Sequence, residues 1–218
     1  MSEFVYKLFN GVRYLGDNTS RHSNGVHSGV SYAPKDGILI IPAYPPIYAI
    51  GKFAFYNNTN LKEVRIEAKV VEIHWGAFSF CPNIAKINIP NSLVFLFSYA
   101  LEFYDGVKKR AGAGTSIIVF EHNSQIQHIE SDGISRKENV IIYFCEDKYP
   151  THPPTILSEV RSLKIYSKKA TTFLGKETQV FDGLLCPIIS KQPEKCIESK
   201  NVKYNIISFK LLIAIVLM

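Results

Sequence analysis

The chain has 218 residues, 25 Lys+Arg against 19 Asp+Glu for a formal charge of +6, and 46% apolar side chains. That composition excludes collagen-like, low-complexity and wholly disordered chains and leaves enough apolar material for a core in one or two domains. Residues 1–159 carry 15 basic and 15 acidic side chains and residues 160–203 carry 9 and 4, so the folded body holds no basic stripe and a nucleic-acid partner is excluded.

Residues 1–37 contain no repeat and are expected to form an N-terminal cap or irregular segment. Their start, Met1-Ser2-Glu3-Phe4-Val5-Tyr6-Lys7, lacks the basic opening, long apolar stretch and small-residue cleavage site of a secretory signal. From residue 38 a 23-residue lag sets in. Ile50, Ile73 and Leu96 align, as do Ala54, Ala77 and Ala100, and Phe55, Phe78 and Leu101. In the same register Leu61 matches Ile84, Val64 matches Ile87, Ile66 matches Ile89 and Asn60 matches Asn83. The apolar positions at the end of Leu61–Ile66 and of Ile84–Ile89 alternate with polar ones, the period of a short strand with one buried face. Pro42 and Pro90 end their strands because proline has no N–H for the ladder. A second apolar stretch, Val70-Val71-Glu72-Ile73, and a turn at Gly76-Ala77-Phe78 complete the unit. Alanine fits where successive coils approach, and phenylalanine fills the interior between them. One unit cannot bury both of its apolar faces, but stacked copies bury a continuous core. The first copy is longer, with nine residues from Ile41 to Ile50 where later copies have seven, and the surplus falls in the turn Ala43-Tyr44-Pro45-Pro46.

After Leu101 the register breaks from Tyr104 to Gly114, where a flexible loop is expected. It resumes at Ile118-Val119-Phe120 and Ile126–Ile129, and Val140–Cys145 and Leu163–Tyr166 are read as degenerate coils on either side of the proline-rich turn Tyr149–Pro154. The domain reading is therefore a solenoid over 38–181, regular over 38–101, followed by a basic, cysteine-containing segment at 182–205 and a hydrophobic tail at 206–218. As a helix the tail would reach roughly 20 Å at ~1.5 Å per residue, against ~30 Å of hydrocarbon. Two readings of it stay open: membrane association through a short anchor or lipid-anchor signal, and burial as a terminal element. Arg161, Lys164, Lys168 and Lys169 read as a solvated face or as a patch beside an anionic membrane.

No motif reaches an active-site signature. Gly175-Lys176-Glu177-Thr178 lacks the upstream glycine of a phosphate loop and reads as a turn, and Gly112-Ala113-Gly114 lacks the third glycine of a dinucleotide fingerprint. His22 and His27, and His122 and His128, do not have metal spacing. The four cysteines include no C-x-x-C pair. Cys81 reads as a small buried hydrophobe, and Cys186 and Cys196 either bridge in an oxidising compartment or stay reduced. A hydrolase using Cys145 and His152 would need an oxyanion element that no motif supplies. The expectation is a protein without catalytic residues, metal or cofactor. Two glycosylation sequons, Asn18-Thr19-Ser20 and Asn57-Asn58-Thr59, matter only if the chain is exported.

The motif runs as Ile40-Ile41-Pro42, Ala49-Ile50-Gly51, Ala54-Phe55, Leu61, Val64 and Ile66, then Ala77-Phe78-Ser79-Phe80-Cys81-Pro82-Asn83-Ile84, Ile87 and Ile89-Pro90. This pattern resembles the BspA-like leucine-rich repeat family. The resemblance implies a mainly β leucine-rich-repeat solenoid of short stacked strands, with an irregular convex side and capping termini. It also implies a surface-antigen role in adhesion, at the cell surface or on a membrane. The register itself supplies the candidate binding residues. Glu63 and Arg65, then Lys86 and Asn88, fall on exposed alternate positions of neighbouring coils ~4.8 Å apart, with Ile38 and Ile40 before them and Ile117 and Val119 after. A mixed polar row flanked by β-branched residues suits a protein or host-surface ligand. The alternative is an intracellular scaffold repeat protein mediating protein–protein contacts, which the missing signal peptide favours.

Overall fold

The computed structural model describes residues 34–145 and 157–167 in full, together with strand backbone at 6–9, 12–15, 172–173, 176–177 and 179–180. Two antiparallel strands come first, β1 (Tyr6–Phe9) and β2 (Val12–Leu15). The chain then alternates between two parallel sheets through β3 (Ile38–Ile41), β4 (Ala49–Ile50), β5 (Glu63–Ile66), β6 (Glu72–Ile73), β7 (Lys86–Ile89) and β8 (Phe95–Leu96). It continues through β9 (Leu101–Glu102), β10 (Tyr104–Asp105), β11 (Arg110–Phe120), β12 (His128–Ile129), β13 (Ile134–Phe144) and β14 (Leu157–Ser167). Three short strands close the described chain: β15 (Thr172–Phe173), β16 (Lys176–Glu177) and β17 (Gln179–Val180). The first sheet has the order β1-β2-β4-β6-β8-β12 and the second β17-β14-β13-β11-β7-β5-β3, with β10 on β11 and β9 on β13. No helix occurs among the described residues, and the chain winds as a parallel β-solenoid of about five turns.

The interior is a set of columns running through the coils. Leu39, Val64, Ile87, Ile118, Ile142 and Ile165 are successive cross-strand partners along the second sheet, and all are buried. Ile50, Ile73, Leu96 and Ile129 form the matching column of the first sheet. On the third side the Phe55 N–H donates to the Ala77 carbonyl at 2.8 Å and the Phe78 N–H to the Ala100 carbonyl at 2.9 Å. These bonds stack Ala54, Ala77 and Ala100, each fully buried, with the Phe55 and Phe78 rings parallel at 5.1 Å beneath. The 23-residue register therefore describes the stacking of coils, and alanine is small because neighbouring coils share backbone hydrogen bonds at that height.

A left-handed corner recurs in each coil just before this column, at Phe53 (φ 55°), Gly76 (φ 63°), Tyr99 (φ 55°) and Asp132 (φ 57°). Side chains rarely adopt that conformation. At Gly76 a side chain would also collide with the Phe53 ring, 2.6 Å from where its Cβ would stand.

The segment Tyr104–Gly114, expected as a flexible loop, is instead β10 and the first half of β11, paired as an antiparallel hairpin. Its glycines mark a bulge: Gly112 pairs with Lys137 and Thr115 with Asn139, leaving one extra residue on β11 beside Gly114 at φ 77°. A Cβ on Gly112 would meet the carbonyl oxygens of Phe103 and Pro82. The insertion lengthens β11, β13 and β14 to 11 residues each. Of the segments read as degenerate coils, Val140–Cys145 lies in β13 except for Cys145, which follows its last residue, and Leu163–Tyr166 lies in β14. Lys176 and Glu177, read as part of a turn, pair with Phe173 and Thr172 as one arm of a hairpin. The hydrophobic tail lies outside the described residues, among which no helix is long and apolar enough to cross a membrane.

Candidate functional site

The outward face of the second sheet is set by strand alternation. With Leu39, Val64, Ile87 and Ile118 committed to the core, their neighbours point the other way. One row runs Ile38, Glu63, Lys86, Ile117, Ile141 and Lys164, each the cross-strand partner of the next. Ile38, Glu63, Lys86, Ile117 and Ile141 are half-buried and Lys164 is exposed. A second row holds Ile40 and Arg65, paired across β3 and β5, then Asn88, Val119, Tyr143 and Tyr166, paired across β7, β11, β13 and β14. Ile40 is exposed and Arg65 half-buried. The Arg65 Nε donates to Glu63 Oε1 at 2.9 Å, and this bond raises the guanidinium pKa further. Tyr143 and Tyr166 stack at 4.8 Å with planes 11° apart, and burial pushes the Tyr143 phenol up.

Two of the eight sequence candidates do not stand at the surface. Asn88 is 3% exposed and its amide replaces a stretch of missing ladder. Pairing between β5 and β7 covers only Glu63 with Lys86 and Val64 with Ile87. Beyond them the Ile66 N–H donates to Asn88 Oδ1 at 2.6 Å, and Asn88 Nδ2 donates to the Ile66 carbonyl at 3.1 Å. The same Nδ2 donates to Glu121 Oε1 at 2.7 Å. Asn88 thus satisfies backbone groups that would otherwise be orphaned, and it is a structural residue. Val119 is 2% exposed and joins Cys145, Ile117 and Tyr143 in a small apolar cluster separate from the main core. The remaining six candidates, Ile38, Ile40, Glu63, Arg65, Lys86 and Ile117, form one contiguous patch. Ile141, Tyr143, Lys164 and Tyr166 extend it. Continuing the alternation already visible in Val140–Cys145 and Leu163–Tyr166 by one strand each would have found them.

The polar groups elsewhere are engaged in holding the coils. Glu102, 4% exposed, receives a hydrogen bond from Arg136 at 2.7 Å, and burial raises its carboxyl pKa against the opposing pull of Ser79 and Arg136. Arg136 also binds Glu159 at 3.0 Å and lies over the Tyr104 ring at 4.9 Å. Glu72 bridges the Tyr48 hydroxyl at 3.1 Å and His74 Nε2 at 2.8 Å. Burial lowers the His74 pKa, with Glu72 opposing. Cys81 is free and buried, its thiol donates to the Phe55 carbonyl, and burial pushes its pKa up to about 12, so it is not a thiolate nucleophile. Cys145 is buried and disulfide-bonded, which leaves no thiol for the hydrolase reading. His152, Cys186 and Cys196 lie outside the described residues. Asn57 of the second sequon is exposed, at a left-handed corner (φ 57°). Asn18 lies outside the described residues. Among the described residues no three His, Cys, Asp or Glu side chains are grouped to hold a metal.

A family model described as a BspA type leucine rich repeat region, in six copies, matches residues 39–132. No curated protein and no solved structure matches the chain.

Proposed function

Because residues 39–132 belong to the BspA-type leucine-rich repeats, a family of repeat proteins that act in protein–protein interaction, we propose that this chain is a non-enzymatic binding protein. Its partner is a protein or host-surface ligand, held on the outward face of the second sheet. The observation that carries the reading is the in-register patch of Ile38, Ile40, Glu63, Arg65, Lys86 and Ile117, which mixes β-branched side chains with both signs of charge on a rigid strand scaffold. Rigidity lowers the ordering cost of association, and charges at the patch steer the approach of a partner. The stacked Tyr143 and Tyr166 add the amphipathic aromatic surface in which interfaces are enriched.

Adhesion as a surface antigen is the form of this function that the repeat family favours, with membrane association through residues 206–218 as its tether. The scaffold reading keeps the same binding face and differs only in compartment. Protease shaving of intact cells expressing the full chain, compared with a chain lacking residues 206–218, separates the two. A cleaved full-length chain supports surface display, and a protected chain found in the same fraction with or without the tail removes it. For the binding face, the triple reversal Glu63→Lys, Arg65→Glu, Lys86→Glu should weaken capture of a co-purified protein partner by tenfold or more with the thermal transition nearly unchanged. Undiminished capture would refute the patch.

A further inference from the structure

The third side of the coil that begins at β3 ends in Asn57-Asn58-Thr59, and the next coil holds the main chain of this triplet at both ends. The Asn57 N–H donates to the Ser79 carbonyl at 2.9 Å, and Asn83 Nδ2 donates to the Thr59 carbonyl at 2.7 Å. On a backbone fixed in this way the side chains divide. Asn58 is 7% exposed and belongs to the buried polar groups. Asn57, at φ 57°, and Thr59 are exposed. Asparagine is among the few residues that adopt the left-handed region readily, so the corner carries Asn57 outward without strain. Among the described residues neither the Asn57 amide nor the Thr59 hydroxyl makes a hydrogen bond.

An asparagine with a threonine two residues on, and no proline between, is the acceptor pattern for an N-linked glycan. The overlapping triplet Asn58-Thr59-Asn60 lacks the second hydroxyl position, which leaves Asn57 as the acceptor. Such triplets are common in sequences, and two structural observations raise this one above the others. A glycan is bulky and hydrophilic, so the folded chain must leave its asparagine outside, with the amide unspent. Asn57 meets both conditions. The second observation lies elsewhere in the fold, directly after β13, where Cys145 is disulfide-bonded. Disulfides form and persist in oxidising compartments and are rare in the cytosol. The lumen in which secreted chains acquire disulfides is also where asparagine-linked glycans are transferred.

We propose that Asn57 is a glycosylation site carrying an N-linked oligosaccharide. This rests on the surface-display form of the function proposed above. The donor is an oligosaccharide carried on a polyprenyl pyrophosphate. Asn57 Nδ2 forms a bond to C1 of the first sugar, the bond from C1 to the pyrophosphate oxygen breaks, and the lipid pyrophosphate leaves with the electron pair while the amide gives up one proton. The Thr59 hydroxyl, with no internal partner, is open to the transferase. The glycan then stands on the third side of the coil and not on the second sheet, which holds the protein-binding patch.

The full chain is expressed in eukaryotic cells, with display read by protease shaving of intact cells. Asn18→Gln is the background, so that the first triplet contributes nothing. Digestion with an N-glycanase should lower the apparent mass of the recovered chain. Carried out in heavy-oxygen water, it should convert residue 57 to a heavy-labelled aspartate within the tryptic peptide Phe53–Lys62, and leave Asn58 and Asn60 unlabelled. Thr59→Ala should abolish the mass shift and Thr59→Ser should retain it. Both change an exposed side chain and leave the corner at Asn57 intact, so a purely conformational role for that asparagine would not separate them. A displayed chain with Asn57 unmodified, or a mass shift that survives Thr59→Ala, would overturn the proposal and leave surface display standing. A chain neither cleaved on intact cells nor modified would overturn both.

Discussion

Replacing Asn88 by alanine tests how the solenoid closes its ladder. The substitution removes the acceptor for the Ile66 N–H and the donor for the Ile66 carbonyl, in a place where the Asn88 side chain is 3% exposed. Each buried backbone group left without a partner costs ~1–3 kcal/mol, so the loss expected for the two groups is about 2–6 kcal/mol. That is a large share of the ~5–15 kcal/mol typical of a folded domain. Urea unfolding of the full chain, followed by far-ultraviolet circular dichroism and by the fluorescence of its single tryptophan, Trp75, measures it. Asn88→Asp gives a second reading of the same site. Its carboxylate still accepts from Ile66 but cannot donate, and it faces Glu121. Burial and that neighbour raise the folded-state pKa of an acid there, so the stability of the aspartate variant should recover as pH falls from 7 toward 5 and the acid regains a donor proton. A loss below 1 kcal/mol for the alanine variant, with an unchanged denaturant slope, would refute the assignment of Asn88 to the ladder and return it to the candidate binding surface.

Ala77→Leu adds three carbons to the fully buried column between Ala54 and Ala100 and should lower stability by about 1–3 kcal/mol or more, whereas Ala85→Leu, at an exposed position, should stay within ~0.5 kcal/mol in the same thermal melts. Lys137 has a folded pKa of about 8 against an ordinary 10.5. Between those values the unfolded chain binds the extra proton, so this group makes stability rise with pH there, and the difference curve between the unmodified chain and Lys137→Met in urea melts from pH 7 to 10 should show that rise. Tyr166→Ala removes the ring stacked on Tyr143 and should cost about 0.5–1.5 kcal/mol by chemical denaturation.

The parts of the fold legible in the sequence are those where physics forces a residue type at every turn. Ala54, Ala77 and Ala100 must be small because adjacent coils hydrogen-bond there, and Leu39 and Ile41 of β3, Val64 and Ile66 of β5, and Ile87 and Ile89 of β7 must be apolar because they share one core. The glycines of β11 are ambiguous by contrast. Gly112 and Gly114 serve a close approach and a bulge, and a sequence shows the same letters for a loop. Asn88 and Val119 occupy the outward phase of the alternation, so periodicity alone places them at the surface. What buries them is tertiary, an open ladder in one case and a second apolar cluster in the other. The cluster of Glu102, Arg136 and Glu159 joins residues 34 and 23 positions apart, the first separation longer than the 23-residue repeat because the hairpin is inserted between them. Lys137 reads as one more charged residue in a strand, and only the packing of Phe103 and Pro82 around it reveals an interior amine.

Spin labels introduced at residues 62 and 85 test the stacking of coils most directly. The Ala85 N–H donates to the Lys62 carbonyl at 2.7 Å, both side chains are exposed, and the buried Cys81 is not expected to react with the reagent. Coils layered at ~4.8 Å predict strong dipolar broadening in the doubly labelled full chain relative to the sum of the two single-label spectra. A spectrum equal to that sum would mean that residues 23 apart do not lie one above another, and the solenoid with its outward binding face would have to be abandoned.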